Sequence, residues 1–93
     1  MRLVRFYVGH NVKGKPTHQH TEVRLWCEKN LPDGFTIVYG SGGWMGQSEA
    51  CSIIDVMLLS NLEASSVKRS LEVDFQQEKV LAVSVPAIEI EGI

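Results

Sequence analysis

The sequence predicts an α+β domain, and three observations carry that prediction. Several runs alternate apolar and polar residues with the period of a strand. Two runs space their apolar residues as an amphipathic helix does, and glycine- or proline-bearing breaks separate the runs. In chain order these give strand, helix, strand, strand, helix, strand. That order within 93 residues is the split-βαβ, or ferredoxin-like, pattern. It implies a βαββαβ two-layer sandwich whose antiparallel sheet has order 4-1-3-2, counting predicted strands along the chain, with both helices on one face.

Residues 2–9 place Val4, Phe6 and Val8 on one side of a first strand and Leu3, Arg5 and Tyr7 on the other. Gly9 to Lys15 is polar and reads as a loop. Pro16 and Thr17 mark a helix start, with Thr17 or Thr21 as N-cap, and Val23, Trp26, Cys27 and Leu31 follow on one face. Leu31-Pro32-Asp33-Gly34 turns the chain. Phe35 to Tyr39 is β-branched and aromatic, hence a second strand, and Gly40 to Gly46 reads as a glycine-rich loop. Cys51 to Leu59 is a third strand, with Ile54, Val56 and Leu58 opposite Asp55. Ser60 or Asn61 caps a second helix lined by Ala64, Val67, Leu71 and Phe75. Gln76 to Lys79 ends it, and Val80 to Val85 is a last strand stopped by Pro86. The chain reads as a single domain over 1–93. Its tail, 86–93, alternates Ile88 and Ile90 with Glu89 and Glu91, the pattern of an extra strand for an edge of its own sheet or a partner's.

Nine Lys and Arg against eleven Asp and Glu give a net charge of −2 with no cationic cluster. Sequence-independent nucleic-acid binding needs clustered cations and is excluded on that ground. No apolar run approaches the roughly 20 residues of a membrane span. The first residues alternate like a strand and lack a signal-peptide core, so a cytoplasmic chain is expected. Cys27 and Cys51 have no CxxC spacing and read as unpaired thiols of a reducing compartment. The second sheet face, with Leu3, Tyr7, Ile53 and Met57, is apolar enough to predict a homo-oligomer packed through it.

The topology gathers four loops at one edge of the sheet: Gly9-His10-Asn11, His18-Gln19-His20, Ser41 to Glu49, and Gln76-Gln77-Glu78. The candidate ligand-binding residues are His10, Asn11, Ser41, Gly43, Trp44, Gln47, Glu49, Gln77 and Glu78. Trp44 is suited to stacking on a planar ligand. Glu49, Gln47 and Gln77 supply hydrogen-bonding groups, and the amides of the glycine run, with His10, suit a phosphate or carboxylate. Gly40-x-Gly42-Gly43-x-x-Gly46 lacks the following helix and the Lys-Ser/Thr pair of a phosphate-binding fingerprint. His18-x-His20 with His10 invites a metal reading. A zinc site needs three or four ligands, and residues two apart on a helix diverge, so no metal and no cofactor is expected. No nucleophile–base arrangement stands out, and only a His10–Glu49 pair keeps catalysis open.

Asp33-Gly34-Phe35-Thr36, Gly40-x-Gly42-Gly43-Trp44, Glu49 and Phe75-Gln76-Gln77-Glu78-x-Val80-Leu81 together resemble a family of small bacterial and phage-associated proteins of unknown function. The likeness spans residues 32–83, with a Phe-x-x-Gly start at Phe6 to Gly9. The shorter hairpin and the His-Gln-His segment depart from it. The resemblance implies a ferredoxin-like α+β domain and no activity. The functional expectation is a non-catalytic, oligomeric domain binding a small polar ligand. If phage-borne, it would sequester a nucleotide-like molecule. The alternatives are a protein–protein module acting through the sheet face and tail, and a small ferredoxin-like enzyme.

Overall fold

The computed structural model of the chain describes residues 2–44, 46–58 and 60–86. Its elements are β1 (Arg2–Gly9), β2 (Asn11–Val12), β3 (Lys15–Pro16), α1 (His20–Asn30), β4 (Thr36–Trp44), β5 (Gln47–Leu58), α2 (Asn61–Asp74) and β6 (Leu81–Pro86). Four strands form one antiparallel sheet in the order β4-β5-β1-β6, and β2 pairs with β3 alone. The predicted α+β class, with a four-stranded antiparallel sheet and two helices, is what the molecule has. The predicted tail strand lies outside the described residues.

The alternation in β1 sets the core. Val4, Phe6 and Val8 are buried, and across the register Val4 meets Val56 and Phe6 meets Ile54. Val23 and Cys27 from α1, Leu31 at its C-cap and Leu71 from α2 close over this row, with Phe75 and Val80 completing it. Complete burial of such side chains contributes about 1.5–3 kcal/mol each. Trp26 packs at the rim, donating its indole N–H to Asp74 Oδ2 at 2.7 Å. On the far face Leu81, Val83 and Val85 of β6, Met57 of β5 and Val38 of β4 are exposed. Arg5 crosses the centre of that face to bind both oxygens of Asp55, at 2.7 and 2.9 Å. That bond holds the Asp55 carboxyl below its ordinary range.

Three local expectations are corrected. The glycine run is strand: β4 continues to Trp44, pairing Gly40 with Cys51, Gly42 with Glu49 and Trp44 with Gln47. The ladder of a long hairpin overrides the weak strand preference of glycine. The segment after Gly9 is a tight hairpin, because Lys13 (φ 51°) and Gly14 (φ 78°) form the left-handed turn that two-residue hairpins need. Helix α1 begins at His20, with neither Thr17 nor Thr21 as its cap. Gln19 is the extended N-cap residue, and Glu22 reaches back to accept its N–H at 3.1 Å. The second helix is capped as expected, with Ser60 Oγ accepting the Glu63 N–H at 3.1 Å.

Candidate functional site

The end of β1 builds the site. Past Gly9 the chain stays tied to β5, with the His10 N–H donating to the Ala50 carbonyl at 3.0 Å. The β2–β3 hairpin then folds back, and the N–H groups of Thr17 and His18 both donate to the His10 carbonyl, at 3.1 and 2.8 Å. This loop holds His10 against the start of α1, where His20 opens the helix. A pocket of about 320 Å³ lies between them, lined among others by His10, Asn11, His18, His20, Tyr39 and Glu49.

Its polar groups are fixed from behind. His10 is 4% exposed, with Nε2 2.8 Å from Ser52 Oγ. His20 Nδ1 is also 2.8 Å from that oxygen. Tyr39, paired with Ser52 across the β4–β5 ladder, lays its ring edge-on to His20 at 5.4 Å and tilted to His10 at 5.9 Å. Glu49 Oε2 accepts the Asn11 N–H at 2.8 Å. Gln77 donates from Nε2 to the carbonyls of Asn11 and Phe75, both at 3.0 Å, so the α2–β6 loop braces the same segment. Gly9 makes this packing possible: a Cβ there would stand 2.7 Å from Glu49 Oε2 and 3.0 Å from Gln77 Oε1. His18 turns Nδ1 to Glu22 Oε2 at 3.0 Å, its ring edge-on to Phe75.

The electrostatics favour a neutral His10. Burial lowers its pKa, the charge of His20 lowers it further, and Glu49 pulls the other way. Burial pushes the Cys27 thiol up to about 11 and raises Cys51 as well, so neither free thiol is an activated nucleophile. No group of three or more His, Cys, Asp and Glu among the described residues is arranged to hold a metal ion. Among the described residues no helix is long and apolar enough to cross a membrane.

Of the candidates from sequence, the structure brings His10, Asn11 and Glu49 to the pocket and Gln77 directly behind it. Ser41 and Gly43 pair across the ladder with the lining residues Ala50 and Ser48 without lining the pocket themselves, and Gln47 lies beyond them, paired with Trp44; Ser41, Gly43 and Gln47 are exposed. Glu78 is exposed on its loop. Ser52 and Tyr39 were not among the candidates, and His18 and His20 were set aside with the metal reading. Ser52 carried a legible signal, because it occupies the core-facing row of β5 with Ile54, Val56 and Leu58. A lone hydroxyl in such a row needs a partner.

No protein-family model and no curated protein matches the chain. A solved structure does: it is described as a phage SAM lyase in its apo state, with a TM-score of 0.65 and 23% sequence identity over 97% of this chain and 92% of that one. The likeness shows the fold. It also counts against the expectation of a non-catalytic domain, because that similar structure is described as a lyase, which is an enzyme.

Proposed function

We propose that the chain is an enzyme, a lyase that cleaves a carbon–sulfur bond of S-adenosylmethionine (SAM) or a closely similar sulfonium nucleoside in the pocket at His10, His20, Tyr39 and Glu49. The observation that carries this reading is the convergence of three imidazoles, a phenol and a carboxylate in one pocket, on a fold similar to that of a phage SAM lyase. Fold alone hosts many chemistries, so the weight falls on the groups. A sulfonium is a fixed cation. The ring of Tyr39, 62% exposed, offers it an aromatic face, and Glu49, held by Asn11 through one oxygen, keeps its second oxygen for a cationic ligand.

A lyase breaks the bond without water. The C–S pair leaves on sulfur, which passes from cationic sulfonium to neutral thioether, and the pair that satisfies the carbon comes from within the substrate. The leaving group needs no proton. What remains for the protein is to hold the substrate in a reactive conformation and to match its charges. Incubating the chain with SAM and following products by mass spectrometry tests this. Loss of SAM with growth of an adenosyl thioether is expected, slowed on the order of 10²-fold in Glu49→Gln. Intact SAM after hours with micromolar protein would sink the reading.

Two finer structural readings go with it. Without the short β2–β3 pair, the elements run βαββαβ, and the sheet order β4-β5-β1-β6 supports a ferredoxin-like assignment. The exposed apolar rows of the open sheet face support a homo-oligomer, and a cytosolic location goes with the two free thiols. On that face a second copy would cover Val38, Met57, Leu81, Val83 and Val85.

A further inference from the structure

Ser52 is fully buried, and its Oγ lies 2.8 Å from Nε2 of His10 and 2.8 Å from Nδ1 of His20. A hydroxyl has a single proton. It donates to one of the rings and accepts an N–H from the other, and each neutral imidazole has one N–H to place. The ring that donates to Ser52 therefore has a bare lone pair on its remaining nitrogen. The ring that accepts from Ser52 has an N–H there. Both rings line the pocket, and among the described residues no protein group bonds either remaining nitrogen.

We propose that Ser52 is a positioning residue that locks His10 and His20 into matched tautomers, so that the pocket presents one N–H donor and one lone pair to a ligand bearing an anion beside a cationic N–H group, as the carboxylate and ammonium of an α-amino acid do. The tautomers match because opposite nitrogens of the two rings face Ser52. If His10 donates through Nε2, then His20, accepting at Nδ1, also carries its proton on Nε2. In the reverse arrangement both protons sit on Nδ1. The choice of ligand end rests on the reading of the substrate as SAM, which carries such a group; the matched tautomers do not depend on it. The surroundings keep the pair from charging fully. A second cationic ring would leave the Ser52 proton without an acceptor in a buried site, and His18 and His20 already oppose charge on His10, while Glu49 and Glu22 favour it.

Long-range ¹H–¹⁵N spectra of the ligand-free chain near neutral pH test the lock directly. Both rings in the same tautomer is the expected result, and one ring of each kind would overturn the proposal. Kinetics test its use. Ser52→Ala should raise KM for SAM about tenfold with a smaller change in kcat, and should shift the acid limb of the pH profile. Ser52→Thr, which keeps the hydroxyl, should restore both. An unchanged KM in Ser52→Ala would overturn the ligand contact. If the unsubstituted chain does not turn SAM over, the functional reading fails, and the spectra still decide the tautomers. They also decide if Ser52→Ala does not fold.

Discussion

A missing side chain and a missing proton shape the pocket at the residue scale. Gly9 leaves room for the Glu49 carboxylate and the Gln77 amide, and an added Cβ would press on the far end of a flexible side chain rather than on backbone. Gly9→Ala should therefore cost about 1 kcal/mol or less of stability and still displace Glu49 from the Asn11 N–H. A melting curve and a SAM turnover assay on the same sample check this, with turnover expected to fall far more than melting temperature. His10 makes the second prediction. Its folded pKa is depressed, so below the ordinary value of 6.5 the unfolded chain binds the proton that the folded chain refuses. Its contribution is complete above that value and is lost as pH falls below it and through the lower folded value. Melting temperature should drop as pH falls below the ordinary value of 6.5 more steeply in the native chain than in His10→Gln, and parallel pH curves would contradict the assignment. Residue-scale legibility was uneven. His10, Asn11 and Glu49 stood out as polar residues beside strand ends, where loops gather. Tyr39 did not, because an aromatic in a β-branched run reads as strand whichever way it faces.

The elements explain most of what sequence could and could not reveal. Strand β1, β5 from Cys51 onward and helix α2 are legible because periodicity, burial and capping agree there, with Val4, Phe6 and Val8 facing Ile54, Val56 and Leu71 in one core. The glycine run of β4 is not, since local propensity argues for a loop and only pairing with Gln47 to Cys51 makes it strand. The start of α1 was misread for a related reason. Proline and threonine are good start signals, yet Pro16 ends a hairpin strand, and the helix waits for the reciprocal reach of Glu22. Glu22 accepts from Gln19 N–H with one oxygen and meets His18 with the other. Glu22→Ala should cost about 1 kcal/mol, or about 4–8 °C in melting temperature for a domain of this size. It should also release His18, visible as a shifted imidazole resonance. An unchanged melting temperature would remove the helix start from the site's supports.

For the molecule as a whole, the sheet has two faces with different duties. One is sealed by both helices. The other carries exposed apolar rows divided by the Arg5–Asp55 pair. If a second copy covers that face, Met57→Lys combined with Val85→Lys should dissociate the assembly, measured by sedimentation, while leaving the helix-side core intact. An unsubstituted chain that sediments as a monomer at tens of micromolar would contradict the homo-oligomer. The location of Ser52 has a consequence at this scale too. It belongs to the same row of β5 as the core residues Ile54 and Val56, opposite Val8 on one side and Tyr39 on the other. A slip of β5 by a single residue would send the hydroxyl to the far face and bring Cys51 or Ile53, according to its direction, between the two imidazoles. If the proposed SAM turnover holds, misregistered molecules would bind SAM poorly even where they are compact, so activity per folded molecule would become a proofreading assay for strand alignment.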